Sequence, residues 1–279
     1  MFAQLRTKIQ TWNRKRRVQR FEKREAYTGH DCRLGVLGIM KNEAMNIDEW
    51  VQHYLSMGAG KIFLIDNGSS DETVGKAKLW VAKGVVELVE YAGQQMQRQH
   101  YWSAFKELKI AKKCQWLIVA DLDEFWFCPS GETIAAQLSD FTFLDLIYAN
   151  WRMFGSNGLD KHPASVRQSF TMRAPELHRH KERKYMCRTS VIKSKRTLGI
   201  HTINGARSNR TVSDNERFHL NHYGIQSIEY FQKVKMTRGD AASIQYAPVR
   251  DLTYFQERDA PCTMSDHLLA DLVASGKIK

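Results

Sequence analysis

The sequence predicts a three-layer α/β domain, a mostly parallel sheet flanked by helices. Short apolar runs alternate with helix-patterned segments from Arg33 to Ala120. Each run ends on a polar loop. The fourth, Leu117 to Ala120, stops on Asp121-Leu122-Asp123, where parallel sheets place their ligands, at the carboxyl ends of strands. With 279 residues, 43% of them hydrophobic, the chain can bury a sizeable core.

Arg33 to Met40 reads as the first strand, and Lys41-Asn42-Glu43 as the loop after it. Ile47, Trp50, Val51, Tyr54 and Leu55 mark one face of a helix, with Asn46 and Glu49 spaced as a capping pair and Gly58 and Gly60 closing it. Lys61 to Ile65 is the second strand, and it runs into Asp66-Asn67-Gly68-Ser69-Ser70-Asp71. Ser70 or Asp71 is placed to cap a helix ending at Ala82, with Gly84 after it. Val85 to Val89 is the third strand. A helix over Gln97 to Lys113 leads to the fourth strand and the paired acids. Further on, Phe141 to Ala149 reads as a strand and Trp151 to Gly155 as a turn. The expected organisation is a basic arm over residues 1–30, the α/β domain over 31–240 and a tail over 241–279.

In an extended segment alternate side chains share a side, so Asp121 and Asp123 are expected to point together and to suit Mg²⁺ or Mn²⁺ and the phosphates it carries. A solvated acidic turn is the competing reading. Four loops fall on one edge of the predicted sheet: Lys41 to Glu43, Asp66 to Asp71, Arg98-Gln99 and Asp121 to Glu124. Their convergence makes the short acidic motif informative.

The formal charge is +12 and unevenly spread. Residues 1–24 hold nine Lys or Arg against Glu22 alone, and Phe2, Leu5, Ile9 and Trp12 recur at helical spacing. That pattern suits an anionic membrane surface, or a solvated arm. Residues 161–210 hold thirteen Lys or Arg against Glu176 and Glu182, a solvated face or a wall that attracts an anion. No reader motif supports nucleic acid as a partner. The five cysteines include no CxxC pair, so reduced thiols are expected. No apolar run nears the roughly 20 residues of a membrane span, and no secretory leader is visible. The expected location is the cytoplasm, with the arm as a means of resting on the inner face of the cell membrane.

These residues carry a resemblance. Lys41-Asn42-Glu43 with Glu49-Trp50, then Ile65 to Thr73, then Asp121-Leu122-Asp123-Glu124-Phe125, resemble the family 2 glycosyltransferases and the related family 92 group, enzymes of the GT-A fold. Trp151 to Gly155, His219-Leu220-Asn221-His222-Tyr223, Ser227 and Phe231-Gln232-Lys233 extend it. The resemblance implies a metal-dependent transfer of sugar from a nucleotide-sugar, UDP-linked, to a glycan or glycolipid acceptor, with inversion, in cell-surface polysaccharide synthesis. It implies that Lys41, Asn42, Glu43, Asp66 and Arg98 line the nucleoside pocket, that Asp121 touches ribose or metal, and that Asp123 and His222 hold Mn²⁺ or Mg²⁺. Glu124 is read as holding the loop, and Trp151 as facing the acceptor. No base motif stands out, and Asp160, Glu176 and Glu216 are the candidates. Two other classes compete. A nucleotidyltransferase would need a glycine-rich phosphate loop that Gly35-Val36-Leu37-Gly38, inside a strand, does not supply. A basic adaptor without catalysis leaves Asp121 and Asp123 unexplained.

Overall fold

In the computed structural model, which describes residues 29–91, 96–175, 182–237 and 250–279, the first apolar run forms a strand in the middle of the sheet. This is β1 (Cys32–Met40), followed by α1 (Ile47–Ser56). Next come β2 (Lys61–Asp66), α2 (Thr73–Ala82) and β3 (Val86–Glu90). Then follow α3 (Gln97–Glu107), α4 (Ile110–Lys113) and β4 (Cys114–Val119). The order β3-β2-β1-β4 is parallel throughout. The inner strands β1, β2 and β4 are covered on both faces, which explains their largely apolar runs. Trp116 and Ile118 join the core beneath α1, and Leu117 and Val119 join the core beneath α3. Residues 1–28 of the basic arm, and Glu176, lie outside the described residues.

Past the acids the chain makes β5 (Glu124–Phe127), α5 (Ile134–Gln137), β6 (Leu146–Met153) and α6 (Val166–Ser169). β7 (Met172–Arg173), β8 (Arg183–Arg188), β9 (Thr211–Ser213) and β10 (His219–His222) follow. β8 lies antiparallel between β4 and β6, so β6 again runs with β4. β10 is parallel to β6, and β5 closes the sheet antiparallel to β10. Among the described residues the sheet has nine strands, in the order β3-β2-β1-β4-β8-β6-β10-β5, with β9 against β6. Four strand spacings separate β4 from β5, about 19 Å on a flat sheet. The short link from Val119 to Glu124 spans at most about 17 Å fully extended. The far half of the sheet must therefore curl back over the acids. This is the expected α/β class, a mostly parallel sheet flanked by helices.

Several elements differ from expectation. The helix expected over Gln97 to Lys113 breaks at Lys109, whose φ of 52° is left-handed. The strand expected at Phe141 starts at Leu146, because Phe141 turns inward against Phe218 in a short helical turn. That strand then continues through Trp151 to Met153, where a turn was expected. Glu49 does not cap its own helix. Its carboxylate accepts Val166 N–H at 2.7 Å and Arg167 Nε–H at 2.9 Å, tying α1 to the start of α6.

From residue 250 the expected tail is instead packed structure: α8 (Leu252–Asp259), β11 (Met264–Ser265) and α9 (Leu268–Ala274). Between β10 and this segment lie α7 (Ile228–Tyr230) and the π-turn Phe231–Lys235. Leu269, Leu272 and Ile278 belong to the main core. Asp266 anchors the segment by accepting from Arg173 Nε at 2.6 Å and Arg152 Nη1 at 3.2 Å.

Arg152 Nη2 also donates to His219 Nε2 at 2.9 Å, which requires a neutral imidazole. Burial and then the Arg152 charge press the His219 pKa down to about 4. The folded state thus resists a proton that the unfolded chain takes up near pH 6.5. Stability is expected to be intact above about pH 6.5 and to fall as pH drops toward about 4, at up to about 1.4 kcal/mol per pH unit for this group. Urea midpoints of the wild type and His219→Asn at pH 7 and 4.5 check this, and the variant should lose less.

Candidate active site

β1, β2, β4, β6 and β10 end at one edge of the sheet, where β8 and β5 begin. The first two loops lock onto each other. Asn42, at φ 55°, donates its N–H to Ser69 Oγ at 3.0 Å and accepts Ser70 N–H on Oδ1 at 2.8 Å. Asp66 Oδ2 accepts the N–H groups of Gly68 and Ser69 at 3.0 and 3.1 Å. Its Oδ1 is buried and takes no hydrogen bond. Glu43 is turned inward, where Tyr230 Oη and Asn46 Nδ2 donate to its carboxylate, both at 3.0 Å on Oε2.

The segment Asp121 to Asp123 is a turn closed by Glu124 N–H on Asp121 O at 3.0 Å. Strand alternation therefore does not apply, and the two acids part toward different lysines. Asp121 Oδ2 accepts from Lys184 Nζ at 2.8 Å, and Asp123 Oδ2 from Lys235 Nζ at 2.5 Å. Burial alone would raise the pKa of Asp121, but Lys184 outweighs it and holds the group low. Burial opposes ionisation of Asp123 too, and Lys235 followed by His222 keeps it well below the carboxylate range. Glu124, fully buried, is driven the other way by desolvation. Its Oε2 accepts Asp121 N–H at 2.9 Å, fixing the turn.

His222 Nε2 lies 3.5 Å from Asp123 Oδ1, a buried oxygen with no hydrogen-bond partner. The imidazole packs on Trp151 at 4.3 Å between ring centroids, and His201 meets the same indole edge-on at 5.3 Å. Trp151 thus reaches the site as the wall beside His222. Arg98, expected at the nucleoside, is spent elsewhere. Its guanidinium donates to the carbonyls of Lys195, Arg196 and Leu198, holding that loop against α3. Glu216 is exposed before the start of β10, at the opposite end of that strand from His222, which removes it from the acids. Asp160 is exposed on the loop after β6, where its carbonyl accepts Glu229 N–H at 2.9 Å.

Among the described residues no group of three or more His, Cys, Asp or Glu side chains is gathered for a metal. The pair Asp123 Oδ1 and His222 Nε2 fits a smaller role. Mg²⁺ and Mn²⁺ sites often take only one or two protein ligands and complete their shell with phosphate oxygens and water. Asp121, with Oδ2 on Lys184 and Oδ1 facing Tyr101 Oη and Gln97 Nε2 at 3.4 and 3.5 Å, does not join that pair.

Lys184 and Lys235 escaped the sequence reading, although each left a trace. Lys184 interrupts a strand whose next three residues are buried, and alternation puts it on the Met186 face. Lys235 is four residues after Phe231, on the helical face that Phe231 buries.

Residues 37–247, well over half of the chain, match the family model described as Glycosyltransferase family 92. A family 92 protein of Arabidopsis thaliana is 25% identical over 183 residues, covering 57% of this chain and 30% of that protein. One of Oryza sativa subsp. japonica is 24% identical over 202 residues, covering 71% and 34%. The chain spans about a third of the length of these relatives. Among solved structures, S. aureus TarS 1-349 in complex with UDP-GlcNAc superposes with a TM-score of 0.46 and 15% identity, over 81% of this chain and 64% of that one. The longer S. aureus TarS structure gives 0.43 and 17%, over 67% and 36%.

Proposed function

This chain belongs to glycosyltransferase family 92, and we propose that it transfers a sugar from a nucleotide-sugar, UDP-linked, to a glycan or glycolipid acceptor with inversion. The observation that carries the reading is the approach of Asp123 Oδ1 and His222 Nε2 at the edge where the strands end. These two residues would hold Mn²⁺ or Mg²⁺. When bound, the cation offsets the negative charge that builds on a departing diphosphate.

The chain's own groups supply the rest of the reading. Asp66 Oδ1, buried and without a partner, is the acceptor for a nucleobase or ribose donor group, and the Asn42 clamp holds the loop that carries it. Lys184 and Lys235 keep Asp121 and Asp123 ionised in a buried site. Trp151 offers the apolar face on which a sugar ring stacks. Asp160 is the candidate base that lies on the loop leaving this edge, exposed and able to meet an acceptor hydroxyl. The basic arm over residues 1–24 would set the enzyme on an anionic membrane surface.

Calorimetric titration with UDP, with and without Mn²⁺, tests this. UDP binding that strengthens with Mn²⁺ is the expected result, followed by turnover of a UDP-sugar. Equal binding with and without the cation would remove the metal. Silence toward UDP, GDP, CDP and dTDP alike would end the nucleotide-sugar reading.

A further inference from the structure

We propose that Cys32 and Cys114 form a redox modification site, a thiol pair that closes to a disulfide on meeting a low-molecular-weight disulfide such as oxidised glutathione. The two residues are register partners at the start of the adjacent parallel strands β1 and β4, and their Sγ atoms lie 3.0 Å apart. Neighbouring Cα atoms across such a pair fall within the span a disulfide bridges. Closure thus needs side-chain rotation and no shift of strand.

Two glycines make the room. A Cβ added at Gly35 would lie 2.5 Å from Cys114 Sγ, and one added at Gly60 would collide with Cys32 Cβ. The half-buried Cys32 is the sulfur that solvent reaches, while Cys114 is fully buried behind it. The chemistry is also asymmetric. The Cys114 thiol beside it lowers the pKa of Cys32, with Lys61 helping, and Cys114 is raised in turn by the same contact and by burial. Cys128, Cys187 and Cys262 are all raised by burial, so Cys32 is the thiol best placed to react.

The thiolate of Cys32 attacks one sulfur of oxidised glutathione, forming the mixed disulfide and releasing one glutathione thiolate. Cys114 loses its proton to that thiolate and attacks the Cys32 sulfur, expelling the second glutathione as a thiolate that solvent protonates. Two protein thiols are oxidised and one glutathione disulfide is reduced to two thiols. The product ties β1 to β4 at the sheet edge opposite the acids, a site independent of the catalytic reading.

The native full chain is incubated with oxidised glutathione and followed by intact mass and peptide mapping. The expected product has lost two hydrogens, contains a Cys32–Cys114 linked peptide and reverts with dithiothreitol. Cys114→Ser is expected to stop one step earlier, with one glutathione on Cys32, whereas Cys32→Ser should leave Cys114 unmodified. The proposal is overturned if both wild-type thiols remain open to alkylation after oxidation. It is equally overturned if glutathione accumulates on wild-type Cys32 without closure.

Discussion

Asp123→Ala is expected to lower turnover of the nucleotide-sugar by at least about 10²–10³-fold, the usual cost of losing a group that organises charge at the reacting centre. The variant also takes from the buried Lys235 its 2.5 Å carboxylate partner, at up to about 3–5 kcal/mol, the cost of breaking a buried ion pair. Stability and chemistry therefore have to be read apart. Asp123→Asn combined with Lys235→Met should recover most of the lost stability in urea and none of the turnover. If the double variant regained activity along with stability, Asp123 would be a structural residue and the site would lie elsewhere.

Lys184→Met should cost about 3–5 kcal/mol in unfolding free energy. Lys184 is fully buried, with Asp121 Oδ2 at 2.8 Å and Glu124 Oε2 at 3.6 Å, so its loss takes the counter-charge from the Asp121 carboxylate at the turn. Asp121→Asn added to Lys184→Met is expected to return part of that loss. Urea unfolding of the three proteins at pH 7 measures both effects. A loss below about 0.5 kcal/mol in the single variant would mean that the pair is solvated rather than buried.

The parallel half of the fold was legible because its inner strands are covered on both faces and α1 carries one apolar stripe. β1, β2 and β4 announce themselves as short apolar runs bounded by polar loops, and α1 by its helical period. The second half was harder to read for a physical reason. β5 and β10 are four residues each, too short for a period, and their pairing depends on chain segments far away in sequence. Asp123 and His222 could be named from motifs, but Lys184 and Lys235 could not. Their meaning is fixed by the acids they meet after folding. Arg98 shows the converse, since a basic residue at the expected edge is consumed by three backbone carbonyls.

The place of β5 in the sheet bears on how the chain acquires its site. The acid turn is encoded before the middle of the chain, yet its flanking strand pairs with residues 219–222, and its two lysines come from positions 184 and 235. A growing chain therefore carries Asp121 and Asp123 out of the ribosome long before anything can neutralise or enclose them. Contacts of such long sequence separation form late and slowly. The parallel half can collapse first, with its edge at β4 uncovered, and the nascent chain is most open to misassociation in that interval. The candidate catalytic edge is thus a timing problem as well as a geometric one, complete only when β10 and Lys235 have returned to it.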